Sequence, residues 1–165
     1  MEQTKRTEIS SLGEFGLIDI ITKDIFLQHN STLKGVGDDA AVIESSQTQV
    51  VTTDMLVEGI HFDLVYTPLK HLGYKSIIVN LSDVYAMNAY PRQVLVSMAI
   101  SNRFSVEAIQ EIYDGMKLAC SRYGVDMVGG DTTASPKGLI INVVAIGEQA
   151  KEKIVYRNTA KEGDL

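Results

Sequence analysis

Residues 93–128 constrain the fold of this chain most. Gln93–Ile100, QVLVSMAI, is an apolar run of strand length. Ser105 is a good N-cap and Glu107 is well placed in a first turn. Val106, Ile109, Ile112, Tyr113, Met116, Ala119 and Tyr123 then form one apolar stripe at helical spacing, and Gly124 supplies the stop. Val125–Val128 follows as another apolar run, so a strand, a capped helix and a strand succeed one another. Elsewhere, Phe15, Ile18, Ile21, Ile25 and Phe26 recur at helical spacing and predict a short helix from Gly13 to Gln28. Ala40–Ile43 and Gln49–Thr53 read as two strands joined by a polar turn. Pro68 opens a long helical stretch that runs to about Ala89, where Pro91 stops it, and Leu139–Ile146 is a further strand. Helices alternating with strands in this order predict an α+β fold, a mixed α/β sandwich.

The length of 165 residues suits one domain with a core that needs no staples. Residues 1–12 read as a flexible N-terminus and 13–156 as the domain. The polar segment 157–165 holds a Gly-Asp turn. It reads either as the start of a linker to a missing C-terminal domain or as a natural tail. Cys120 is the single cysteine, which excludes a disulfide framework or a Cys-based zinc cluster. A net charge of −6 argues against a general binder of nucleic acid or anionic membrane, since phosphates attract clustered Lys and Arg. With no apolar run of spanning length and no apolar stretch near the start, the expectation is a cytoplasmic globular protein.

Gly35-Val-Gly-Asp-Asp-Ala40 matches the dinucleotide fingerprint G-x-G-x-x-A. A polar segment precedes it and a strand-like run follows, so the Rossmann reading is rejected. Gly129-Gly-Asp-Thr-Thr133 reads as a second glycine-rich turn, and neither glycine stretch has the lysine spacing of a Walker loop. Carboxylates recur where apolar segments end: Asp38 and Asp39, Asp54, Asp83 and Asp131, with hydroxyls beside them on Thr52, Thr53, Ser82, Thr132 and Thr133. An Asp in a glycine turn is ordinarily turn chemistry. Asp83 differs, because it falls within a largely apolar helical stretch where an unpaired carboxylate is costly. Were several of these groups to converge, a cation would have to cancel their repulsion, and oxygen-only ligands favour Mg²⁺. His61 closes a segment that begins at Asp54 and could face the same cleft. His29 and His71 read as surface residues, Cys120 as core, and Arg157 as either a phosphate clamp or plain surface.

Five phrases then occur in order: Gly13-Glu-Phe-Gly-Leu-Ile18, Gly37-Asp-Asp-Ala-Ala-Val42, Thr52-Thr-Asp-Met-Leu-Val-Glu-Gly-Ile-His-Phe62, Asn80-Leu-Ser-Asp-Val-Tyr-Ala-Met-Asn-Ala-Tyr-Pro91 and Gly129-Gly-Asp-Thr-Thr133. Together they resemble the N-terminal domain of the thiamine-monophosphate kinase family, within the aminoimidazole-ribonucleotide-synthetase-like ATP-binding superfamily. Hydrogenase-maturation proteins like HypE share the glycine-aspartate turns but lack the His-Phe ending. Selenophosphate synthetases would need a reactive Cys near the N-terminus, and the purine synthetase usually carries Glu at the position of Asp131. Asn88 stands where the family commonly has Gly, and Asn tolerates unusual backbone angles too.

The resemblance implies a mixed, mostly antiparallel sheet with helices on one face, and sheets that pair in a homodimer; strands 93–100 and 139–146 are the candidates for that pairing. It implies Mg²⁺ ligands at Asp39, Thr52, Thr53, Asp54, Asp83 and Asp131, ATP contacts at Gly130, Asp131 and Arg157, and a thiamine-phosphate contact at His61. The activity implied is transfer of the γ-phosphoryl of ATP to thiamine monophosphate, giving thiamine diphosphate. With half of the family's length absent, the 165 residues alone are expected to turn over negligibly. The alternatives are an association module, or the ATP-binding domain of another superfamily member such as a HypE-like maturation factor.

Overall fold

The computed structural model describes residues 6–164. Residues 1–5 of the expected flexible N-terminus, and Leu165 at the end of the linker segment, lie outside the described residues. In chain order the elements are α1 (Gly13–Thr22), β1 (Thr32–Lys34), β2 (Val42–Ile43), β3 (Thr48–Val57), α2 (Leu69–Ala86), β4 (Tyr90–Ile100), α3 (Val106–Tyr123), β5 (Asp126–Ala134) and β6 (Leu139–Gln149). Four strands make one sheet in the order β3-β6-β4-β5. β6 runs antiparallel to both β3 and β4, whereas β4 and β5 are parallel. A parallel pair needs a long crossover, and α3 is that crossover. The fold is therefore the expected mixed sheet with α2 and α3 packed on one face.

Alternation along each strand sets what the helices cover. Val94, Val96 and Met98 of β4 and Ile141, Val143 and Ala145 of β6 are buried beneath them. In α3 the stripe holds as read: Val106, Ile109, Ile112, Tyr113, Met116 and Ala119 are buried, while Tyr123 at its end is 39% exposed. The Ser105 hydroxyl accepts from the Ala108 N–H at 3.3 Å, and Gly124 ends the helix in a left-handed turn. Each fully buried Leu or Ile of this layer contributes about 1.5–3 kcal/mol. α2 and α3 touch backbone to backbone. A Cβ on Gly73 would come within 2.8 Å of the Ile112 carbonyl carbon, and one on Gly115 would come equally close to that of Lys70.

Several boundaries differ from the sequence reading. α1 stops at Thr22 rather than Gln28, because the N–H groups of Gln28 and His29 turn away to the buried Asp126 carboxylate, at 2.6 and 3.1 Å. His29 is half-buried rather than solvated, with its ring Nε2 against the Gly124 carbonyl. The expected hairpin across residues 40–53 does not form: β2 pairs with β1, and β3 pairs with β6. α2 ends at Ala86, and Pro91 sits inside β4 opposite Gly147, beside a register shift, the kind of irregularity at which a strand tolerates proline. Gly129–Thr133 is strand, not turn. Finally, β4 and β6 are interior strands with both edges paired, so neither can accept a further strand; the free edges belong to β3 and β5.

Candidate functional site

The two free edges carry the two groups of candidate residues. On β3, Thr52 and Asp54 share the helix-facing side because they are two residues apart. The Thr52 hydroxyl donates to Asp83 Oδ2 on α2 at 3.1 Å. The backbone N–H of Asp54 donates to Asn80 Oδ1 at 2.9 Å, while Asn80 Nδ2 donates to the Ser76 carbonyl at 3.0 Å. Asn80 is fully buried, so a satisfied side-chain amide rivets β3 to α2 beside the carboxylate of Asp54. Asp83 proves to be exposed, so the burial cost read from its apolar surroundings does not arise: the apolar residues of α2 face inward and Asp83 faces out. Thr53 lies on the opposite face, where its hydroxyl is within reach of both the Val143 carbonyl at 3.0 Å and Asn142 Oδ1 at 3.1 Å.

At the other edge, β5 forms one wall of a cleft of about 1200 Å³, completed by α1 and the loop between β1 and β2. Asp39 from the glycine-aspartate turn and Gly130 and Asp131 from β5 all line it, as do Phe15, Ile18, Leu27 and Leu33. The cleft thus has an acidic, glycine-bordered part and an apolar part. Gly130 makes this wall possible: a Cβ there would lie 2.6 Å from the Val96 carbonyl carbon and 2.9 Å from its nitrogen. In the turn opposite, Asp38 Oδ1 accepts from the Asp39 N–H at 3.0 Å, and Asp38 pairs with Lys34 at 3.6 Å across an exposed surface.

Asp39 and Asp131 therefore line one cleft, and Thr52, Asp54 and Asp83 stand at another corner. The two groups do not meet each other within this chain. β3 and β5 are separated by two strands, or about 14 Å at the usual interstrand spacing of about 4.8 Å. Cross-strand register puts Asp131 in a row with Ser97, Asn142 and Met55, and Asp54 in a row with Val143, Val96 and Gly130. Among the described residues, no three His, Cys, Asp or Glu side chains come close enough to hold one metal ion. A carboxylate-to-Mg²⁺ distance of about 2.1 Å cannot bridge that gap.

His61 follows β3. Its Nδ1 accepts from the Val57 N–H at 3.0 Å, which leaves Nε2 as the outward nitrogen, and Lys75 Nζ donates to its carbonyl at 3.3 Å. Arg157 lies in the exposed segment beyond the single turn Lys151–Lys153, outside both groups. Sequence reasoning gave no role to Asn80, Asn142 or Asp126. The available signal was polarity out of place: Ser76 and Asn80 stand one helical turn apart on a stripe otherwise made of Leu72, Ile77, Leu81 and Val84. Two groups with displaced titration lie under the same layer. Burial pushes the Tyr113 hydroxyl up to about 12. Burial, with the Asp126 charge second, pushes the Cys120 thiol up to about 12.

Residues 37–149 match the model of the family "AIR synthase related protein, N-terminal domain". The chain is 36% identical over 156 residues to the thiamine-monophosphate kinase of Bacillus subtilis strain 168, covering 93% of this chain and 48% of that protein. Among solved structures, it resembles the thiamine-monophosphate kinase of Stenotrophomonas maltophilia K279a with a TM-score of 0.74 and 32% identity, covering 91% of this chain and 46% of that one. It also resembles AaThiL complexed with AMPPCP and TMP, with a TM-score of 0.66 and 34% identity, covering 98% and 48%. The hydrogenase maturation protein HypE in complex with ATP shares the fold with a TM-score of 0.71, at 22% identity over 87% of this chain and 43% of that one. The chain thus spans about half the length of the curated relatives it matches. Among the described residues, no helix is long and apolar enough to cross a membrane.

Proposed function

We propose that this chain, which belongs to the AIR synthase related protein family through its N-terminal domain, is the ATP- and magnesium-binding half of a thiamine-monophosphate kinase. The observation that carries the reading is 36% identity over 93% of the chain to a kinase of that name. The likeness to HypE, at 22% identity, speaks for the fold alone. Residues 13–156 form the domain in this reading, and 157–165 begin a linker. ATP and thiamine monophosphate are the partners, and the cytoplasm, where ATP is supplied, is the setting.

The donor chemistry, though not a shared position, suits hard cations. Asp39, Thr52, Thr53, Asp54, Asp83 and Asp131 offer only oxygen, and Mg²⁺ is usually held by one or two carboxylates with waters and substrate phosphates completing the shell. Asp39 with Asp131, and Thr52 with Asp54 and Asp83, would therefore hold separate ions, and the Thr53 hydroxyl, on the opposite face, would join neither. When bound, the ion neutralises charge on the transferring phosphoryl group. This chain's residues do the rest. Asn80 anchors the Asp54 backbone, and Thr52 orients Asp83. Gly130, by letting β5 lie close against β4, holds the cleft wall that carries Asp131. Asp131 and Arg157 contact the nucleotide, and His61 presents Nε2 to the phosphate of thiamine monophosphate. That acceptor phosphate is already largely ionised at neutral pH, its second pKa being about 6, so no general base is required. With two polyanions to join, positioning in line is the remaining contribution.

A homodimer belongs to the same proposal. The sheet face away from the helices exposes Val51 (62%) and Met55 (52%) of β3, an apolar surface suited to a second copy. Sedimentation at micromolar concentration tests it, and a strict monomer counts against it. The kinase reading is tested by thiamine-diphosphate formation in the full-length protein carrying Asp54→Ala or Asp83→Ala. Each is expected to lower turnover at least a hundredfold, on the scale of electrostatic stabilisers of transferring groups. Activity retained in both variants removes the metal role.

A further inference from the structure

Asn88 is the one non-glycine residue with positive φ among the described residues, at 56°. It forms the corner between α2 and β4, and three hydrogen bonds join that corner to the end of β6 and the segment after it, two of them to that segment. Asn88 Nδ2 donates to the Lys153 carbonyl at 2.9 Å, Gln149 Nε2 donates to the Asn88 carbonyl at 2.7 Å, and the Val155 N–H donates to the Met87 carbonyl at 3.1 Å. Two of these bonds use the corner's backbone, which the left-handed turn aims; the third uses the Asn88 side chain itself. In this chain the position thus uses two properties at once. Asn tolerates the left-handed region and carries an amide donor. Gly supplies only the first, Asp lacks the donor, and a bulkier residue is strained there.

The segment so held leads to Arg157, two residues past Val155. We propose that Asn88 is a positioning residue: it latches residues 150–155 to the α2–β4 corner and thereby fixes where the Arg157 guanidinium can reach toward a nucleotide. The proposal rests on the reading of Arg157 as an ATP contact. Pinned at Val155, Arg157 hangs on a two-residue tether; released, it hangs on eight residues from Gln149. Effective concentration falls roughly as the −3/2 power of tether length, so full release dilutes the guanidinium about eightfold.

The test uses Asn88→Gly, which keeps the backbone turn and deletes only the amide, alongside Asn88→Asp, Arg157→Ala and the double variant Asn88→Gly/Arg157→Ala. Amide hydrogen exchange reads the latch, and calorimetric titration with ATP and Mg²⁺ reads the nucleotide. In Asn88→Gly the Val155 amide should exchange roughly three- to tenfold faster, the scale of one lost hydrogen bond. The dissociation constant for ATP should rise by up to about eightfold. Asn88→Asp should behave alike, and the double variant should bind no worse than Arg157→Ala. Unchanged exchange at Val155 in Asn88→Gly overturns the latch. Faster exchange with unchanged ATP affinity, while Arg157→Ala binds weakly, overturns the positioning role. Unchanged ATP affinity in Arg157→Ala overturns the nucleotide reading of Arg157, and faster Val155 exchange in that case marks this failure apart from a failure of the latch.

Discussion

Gly129 and Gly130 are neighbours in β5, yet alanine should have opposite consequences at the two positions. At Gly129 a Cβ meets only Leu95 Cδ2 at 3.9 Å, an ordinary contact. At Gly130 it meets the Val96 backbone, with the carbonyl carbon at 2.6 Å. Carbon pairs are at rest near 3.5–4.0 Å, and the Val96 carbonyl oxygen lies closer still than its carbon, so β5 would have to move at least about 1 Å from β4. That displacement breaks the parallel ladder around Val96↔Gly130 and Ser97↔Asp131. Losing two or three bonds of about 0.5–1.5 kcal/mol each, with residual strain, puts Gly130→Ala at roughly 2–4 kcal/mol. For a chain of this size, a melting temperature shifts about 2–4 °C per kcal/mol, so Gly130→Ala should melt roughly 4–16 °C lower. Gly129→Ala should stay within about 0.5 kcal/mol of the parent. Thermal melts followed by far-ultraviolet circular dichroism compare the two. A Gly130→Ala chain melting within about 2 °C of the parent, or a Gly129→Ala chain falling as far as its neighbour, refutes the close-approach reasoning.

Two further outcomes follow from titration. Hydrogen bonds from Thr7, whose N–H reaches both Glu107 oxygens at 3.1 and 3.2 Å, hold the Glu107 carboxyl down to about 2 from its ordinary 4.5. A depressed carboxyl stabilises the fold above the unfolded value and loses that contribution as pH falls through the folded one. The gap in urea midpoint between the parent and Glu107→Gln should therefore be steady from pH 7 to about 5 and close between about 4.5 and 2. A gap that is constant with pH removes the assignment. Cys120, its thiol raised to about 12 by burial, should resist alkylation at pH 8 in the native chain and react readily in urea. Rapid native alkylation would mean that the α3 stripe opens far more than its packing implies.

Legibility in the sequence tracked how local the determining physics is. α3 was readable to the residue, because Ser105, the stripe and Gly124 are all short-range signals. The end of α1 was not, since a carboxylate almost a hundred residues away, Asp126, captures the N–H groups of Gln28 and His29. Gly129–Thr133 reads as a turn because glycine signals turns by default; in the fold Gly130 serves the close approach of β5 to β4. Strand order is a tertiary fact, so sequence alone makes the apolar β4 and β6 candidates for pairing edges although they occupy the interior. The acidic residues were found as motifs, while their distribution over two edges depended on that same order. One part was within reach: strand parity alone separates Thr53 from Thr52 and Asp54.

β6 has a consequence for how the molecule is made. It is the last of the described strands, yet it lies between β3 and β4, pairing Thr48 with Gln149 and Ile100 with Leu139. Vectorial synthesis therefore delivers both flanking strands to solvent before the piece that joins them exists. β4, α3 and β5 can assemble locally as they emerge, but β3 waits unpaired in the sheet until β6 leaves the ribosome. Such non-local closure is slow and leaves unpaired edges open to the wrong partner. In the interval between translation of Ile100 and of Gln149, the edges of β3 and β4 that β6 will cover are both without their partner.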